Sequence, residues 1–194
     1  MAAATHLKSF TKAALIAVFA LNISIYQAKG FVLDGKIEGG FARGKFIKLN
    51  PSDNFAVGND TFQNNNLYAF DEDQNITLER DLAVDIGVTG RTIPAGTVVA
   101  SHYVFFDPLF GATQSAYVEF DAPILGIATS QLTLKASDFL ANTNVTYLNP
   151  TLRGLEWEDS VWVDPNNPFR LRIFWGASTP GDYIRVFTAA SPSV

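Results

Sequence analysis

Residues 97–106 (TVVASHYVFF) form a run rich in β-branched and aromatic side chains, bounded by Pro94-Ala95-Gly96 and Asp107-Pro108. A run of this length between two turn signals predicts a β-strand. The same pattern recurs along the chain. Residues 115–120 (SAYVEF) alternate, with Ala116, Val118 and Phe120 on one face, and residues 171–175 (LRIFW) place Leu171, Ile173 and Trp175 together. Residues 144–148 follow the rule, as do residues 182–188, where Tyr183, Arg185 and Phe187 oppose Ile184, Val186 and Thr188. Shorter candidates occupy residues 31–37, 46–49, 67–70, 76–79, 82–86, 124–128 and 161–163. Turn signals separate them, among them Gly58-Asn59-Asp60, Asn64-Asn65-Asn66, Asp164-Pro165 and Pro180-Gly181. So many short strands with closely spaced reversals predict an all-β antiparallel sandwich or jelly roll. Only residues 134–142 (LKASDFLAN) read as helical, with Phe139 and Leu140 facing inward. Helices are too few for a parallel α/β fold. No Pro/Gly/Ser-rich linker divides the chain, so residues 31–194 are expected to form one domain.

Residues 1–30 read as an export signal. Lys8 and Lys12 supply a basic start, residues 13–21 (AALIAVFAL) an apolar centre, and Ala28-Lys29-Gly30 small residues at −3 and −1 of a cut before Phe31. A cut after Ala28 fits less well, because Tyr26 would stand at −3. The apolar stretch is too short for the ~20 residues of a spanning helix, so no membrane span is expected in the mature chain. The expected location is secreted or extracellular, with the periplasm or cell surface as variants. The formal charge of −5 becomes −8 without residues 1–30, which hold three lysines and no acid. Such a balance argues against nucleic acid as a partner. The chain has no cysteine, which excludes disulfides, thiolate metal sites and a cysteine nucleophile. An exported domain of this kind must hold together through its core, and 47% hydrophobic residues with 16 Phe supply one.

Candidate chemistry concentrates in four places. Asp71, Asp73 and Asn75 match the first half of a calcium loop, whose alternate oxygens converge on a hard cation. Ile76 then stands where the turn needs Gly, and Leu82 where a bidentate Glu belongs. A Ca2+ site joining these residues to Asp60 is one reading; a solvated acidic hairpin tip between residues 67–70 and 76–79 is the stronger one. His102 lies inside the clearest strand. His6 is the only other histidine and belongs to the signal, so a multi-histidine metal site is excluded, and no G-x-S-x-G elbow accompanies it. A structural histidine is the commoner outcome, with ligand binding or hydrolysis as the sharper reading. Glu119, Asp121, Glu156, Glu158 and Asp159 offer carboxylate pairs, but glycoside hydrolysis needs two facing each other ~5–9.5 Å apart. Trp157, Trp162 and Trp175, with Phe169 and Phe174 nearby, could stack on sugar rings if exposed. Trp175 alternates like a core residue, whereas Trp157 and Trp162 stand beside acidic residues and are the ligand-binding candidates.

The phrases at residues 58–62 (GNDTF), 67–75 (LYAFDEDQN), 101–108 (SHYVFFDP) and 180–186 (PGDYIRV) together resemble a domain of exported bacterial proteins that often end in a PEP-CTERM sorting tail. The resemblance spans roughly residues 55–190. It implies an exported, exopolysaccharide-linked setting and no established activity or site residues. The Pro-Glu-Pro tail is absent after Phe187, which turns the expectation toward free secretion. The leading reading is therefore a secreted, non-enzymatic sandwich binding an extracellular polysaccharide or surface protein. An exported hydrolase using carboxylates or His102 and a self-assembling surface subunit are the alternatives.

Overall fold

A computed structural model describes residues 30–41 and 43–190; the export-signal reading on residues 1–30 lies outside them except for Gly30. The chain begins with β1 (Val32–Gly39) and β2 (Phe46–Lys48), followed by the short β3 (Ala56–Val57) and by β4 (Leu67–Asp71). Four two-residue strands come next: β5 (Ile76–Thr77), β6 (Leu82–Ala83), β7 (Ile86–Gly87) and β8 (Thr92–Ile93). The long strands β9 (Val98–Phe106), β10 (Ala112–Phe120) and β11 (Ile124–Ala128) precede a single helix, α1 (Gln131–Ala136). The chain closes with β12 (Thr146–Tyr147), β13 (Ser160–Asp164), β14 (Asn167–Ala177) and β15 (Asp182–Ala189).

These strands build an all-β sandwich. One sheet has four strands in the order β1-β10-β14-β13; the other follows β2-β4-β9-β15-β11-β7, with β5 also paired to β9. Alternation sends Ala116, Val118, Phe120, Leu171, Ile173 and Trp175 inward from the first sheet. They meet Leu67, Ala69, Val104, Phe106, Ile184 and Val186 from the second, in one continuous core. Trp175 is fully buried there and stacks on Phe106 at 6.2 Å between centroids.

The larger sheet is covered on its other face as well. Tyr68, Phe105 and Tyr183 stand in register across β4, β9 and β15, with ring centroids 5.0 and 5.6 Å apart and nearly parallel planes. Over them pack Val57, Leu78, Leu82, Ile93, Leu134, Leu140 and Val145 from the short strands, α1 and the loops. This third layer explains why β9 and β15 lack a polar face: both of their surfaces are interior.

Local chemistry sets the helix. Ser130 caps α1, and Asp85 accepts the N–H groups of Thr129 and Ser130 at 2.7 and 2.8 Å and the Thr133 hydroxyl at 2.5 Å. Burial works to raise the Asp85 pKa, but these donors outweigh it and hold the carboxyl below its ordinary value. The helix thus begins at Gln131, earlier than its hydrophobic pattern predicts. It ends where the Ser137 hydroxyl donates back to the Thr133 and Leu134 carbonyls. A 3-10 turn (Asp138–Leu140) follows and leaves Phe139 facing outward, 47% exposed, against the expectation that it faces inward.

A second expectation is overturned nearby. β4 and β5 do not pair as a hairpin; both lie along β9. Between them Glu72 donates its N–H to Ser101 O, and Ser101 donates its own to Asp73 O. Glu72 is consequently buried, not part of a solvated tip.

Candidate functional site

On the outer face of the four-stranded sheet, alternation that buries Leu171, Ile173 and Trp175 turns Arg170, Arg172 and Phe174 to solvent. Register then decides which neighbours they meet. Lys36, Tyr117, Arg172 and Trp162 stand opposite one another in a single row across β1, β10, β14 and β13. The next row joins Ser115, Phe174 and Ser160. Trp162 and Phe174 are 43% and 47% exposed. With strands spaced ~4.8 Å apart, Tyr117 and Trp162 sit roughly 10 Å from each other, two strands apart on one face of the sheet.

Ion pairs fix the polar groups between the rings. Arg172 donates to Glu38 at 2.7 Å and to Asp164 at 2.8 Å. Arg170 donates through Nε and Nη2 to one oxygen of Glu119, at 2.8 and 2.5 Å, and its guanidinium lies 4.7 Å from the Tyr117 ring centroid. The Asn166 N–H and then Arg172 hold the Asp164 carboxyl below its usual value. Each guanidinium is therefore oriented before any ligand arrives. The combination of flat rings with planar, fixed hydrogen-bonding groups suits a ring-shaped polar ligand such as a sugar, whose faces are apolar and whose rim carries hydroxyls.

The sequence candidates are scattered relative to this face. Trp162 lies on it. Trp157 is 91% exposed on the loop leading into β13. His102 is fully buried on the larger sheet, facing the four-stranded one. There it forms a dyad with Asp71: Nδ1 is 2.9 Å from Asp71 Oδ1, Nε2 is 3.1 Å from Thr188 Oγ1, and the Phe120 ring lies 4.8 Å away. Asp71 also accepts from Lys48 at 2.7 Å and from the Val32 N–H at 2.7 Å. Burial acts to raise the Asp71 pKa, but His102, Lys48 and the Val32 N–H prevail and hold it below its ordinary value. The arrangement pins β1 and β2 to the larger sheet, with its imidazole closed off from any substrate.

The proposed calcium ligands are not gathered either. Asp71 is committed to Lys48 and His102. Asp73 is raised by burial and by the charge of Glu72. Asn75 holds a left-handed backbone conformation in the same segment. Asp60 instead neighbours Asp107, whose pKa burial and then Asp60 raise, after the hydrogen bonds of the Phe62 and Gln63 N–H groups are counted. Asp107 is five residues along β9 from His102, roughly 17 Å away. Among the described residues no group of three or more His, Asp or Glu side chains is arranged to hold a metal ion.

Sequence reasoning missed two groups. Tyr117 carries no signal until the register sets it opposite Arg172. Arg185 looks like a solvent-facing strand residue but is fully buried on the covered face. Its guanidinium makes paired bonds to Glu72, at 2.5 and 2.8 Å, and donates to Leu134 O and Ser137 Oγ at 3.0 and 2.8 Å. The hydroxyls of Ser101 and Tyr147 complete the Glu72 carboxylate. Desolvation alone would lower the Arg185 pKa; the Glu72 charge more than reverses this, so the guanidinium keeps its charge.

Compared with models of known protein families, with curated proteins and with solved structures, the chain matches none.

Proposed function

We propose that this protein is a secreted, non-enzymatic β-sandwich that binds an extracellular polysaccharide on the outer face of its four-stranded sheet. One observation carries the reading: Tyr117, Trp162 and Phe174 share that face at adjacent register positions, with Arg172 held between them by Glu38 and Asp164. A core explanation does not account for these rings, because the same strands send their other faces inward. The exopolysaccharide-linked setting implied by the sequence resemblance agrees with such a ligand. A rigid, flat platform recognises a chain of sugars by stacking, with the charged rim selecting hydroxyl geometry.

The test is a glycan array together with a pull-down on the producer's own matrix. Binding is expected in both. Trp162→Ala and Phe174→Ala should each weaken it about tenfold, the size of a stacking contact of ~1.4 kcal/mol. Trp157→Ala, outside the platform, should change it little. Negative results on array and matrix alike would remove the proposal.

A further inference from the structure

A second surface lies at the end of the sandwich where the 39–45 loop meets the β9–β10 connection. Phe41 is 91% exposed and Phe110 78%, with Leu109 beside them. Together with Arg43 and the Gln63–Asn66 turn they line one open depression. Three large apolar side chains projecting from two neighbouring loop tips are not a normal feature of a soluble surface.

Phe41 and Lys45 are each tied back to a neighbouring element. The Phe41 N–H donates to Thr113 Oγ1 at 3.3 Å, and that of Lys45 to Asn66 Oδ1 at 2.9 Å. Gly40 takes a φ of +102°, and a side chain there would strike the Thr113 backbone; one at Gly44 would strike Asn65 O. Gln114 reaches across to Asn65 O at 2.8 Å. The phenyl ring therefore faces water because its backbone is fixed to point it there.

Charge at this end runs against the rest of the chain. The protein has 19 acidic and 14 basic residues, yet residues 39–47 contain Arg43 and Lys45 with no acid. Residues 61–70 and 108–118 contain no acid either. Arg43 and Lys45 are exposed, and neither forms an ion pair among the described residues. Asp107, the nearest carboxylate in sequence to Phe110, is buried behind the patch, where Oδ2 accepts the Phe62 N–H.

From this we infer that the Phe41–Phe110 end docks on the surface of an anionic phospholipid bilayer. Phe41, Leu109 and Phe110 would enter the headgroup–acyl boundary, with Arg43 and Lys45 at the level of the phosphates. Aromatic residues are favoured at that depth, and each basic residue near an anionic leaflet adds attraction that salt screens. Arg43 and Lys45 match the phosphates of an anionic leaflet and would repel the same end of a second copy. The projecting rings and Leu109 suit a hydrocarbon boundary better than a sugar plane, which needs coplanar aromatics.

The test is co-sedimentation of the protein with phosphatidylcholine vesicles containing or lacking phosphatidylglycerol. Binding is expected only with the anionic lipid and should fall as salt rises. Phe41→Ser with Phe110→Ser should reduce it at least a hundredfold, about tenfold per ring. Arg43→Gln with Lys45→Gln should weaken it about fivefold per residue. All four positions are exposed, so the variants should melt with the parent protein. Trp162→Ala should leave vesicle binding intact, which keeps this result separate from the fate of the sugar platform. Failure to bind anionic vesicles, or binding indifferent to the Phe variants, overturns the inference. So does a self-association, or a capture of polygalacturonate without vesicle binding, that the Phe variants abolish.

Discussion

The outer faces of the two sheets carry the same kinds of residue and put them to opposite use. On the four-stranded sheet Arg172 lies between Tyr117 and Trp162 and is paired with Glu38 and Asp164. On the seven-stranded sheet Arg185 lies near Tyr103 and Tyr147, 5.5 and 5.9 Å from their ring centroids, and is paired with Glu72. The first cluster is open to solvent. The second lies beneath α1 and the short strands, where every guanidinium nitrogen of Arg185 and both oxygens of Glu72 are engaged. An aromatic-and-arginine cluster is thus neither a binding face nor a core feature by composition. Coverage decides, and with it whether the charges are screened by water or held by each other.

The contrast can be broken experimentally, and the largest effect should come from the covered side. Glu72→Ala removes the paired bonds to the buried Arg185 guanidinium and leaves it only Asp138, 3.2 Å away and partly exposed, so it should cost about 3 kcal/mol in urea unfolding. The paired change Glu72→Leu with Arg185→Met should cost less than the single one, because no uncompensated charge remains. Equal losses would show that the pair's shape, not its charge, matters.

Next comes Asp182, buried at the start of β15, with one oxygen lacking a partner among the described residues. Burial, then the charges of Asp159 and Glu156, push its pKa up to about 8. The folded protein therefore keeps this proton while the unfolded chain, titrating near its ordinary value of ~3.9, releases it. Stability should fall as pH rises from about 4 to 8, since the native state binds more protons in that window. Asp182→Asn should raise Tm at pH 8 and lose the advantage at pH 4. A Tm gain that does not vary with pH would contradict the assignment.

The smallest effect belongs to the open side. Arg172→Ala removes partly exposed ion pairs and should cost less than about 1 kcal/mol of stability. On the proposed platform it should nonetheless weaken polysaccharide binding, as read from the same pull-down. A large loss of stability at Arg172 and a negligible one at Glu72 would invert the comparison.

Much of the architecture was legible before any coordinates. The strand at residues 124–128 is found with the same bounds, and β9 and β15 differ from expectation by about a residue at their ends. Trp175 follows its alternation into the core. Where reading failed, long-range pairing was responsible. The DEDQN segment looks like a turn by composition, but β9 accepts both flanking strands and draws Glu72 inward. The two-residue strand β3 forms because β12, some ninety residues later, lies parallel to it. Of the candidate ligand residues, only Trp162 reached the proposed face.

What the amino-acid sequence determined by itself is local: period-two alternation chose strands, Pro, Gly and Asn ended them, and the missing cysteines left stability to an aromatic core. Which strands became neighbours, and which of two similar arginine clusters was covered, was decided only by tertiary structure. Alternation assigns a side chain to one of two faces, but it cannot say whether water or another layer lies beyond that face.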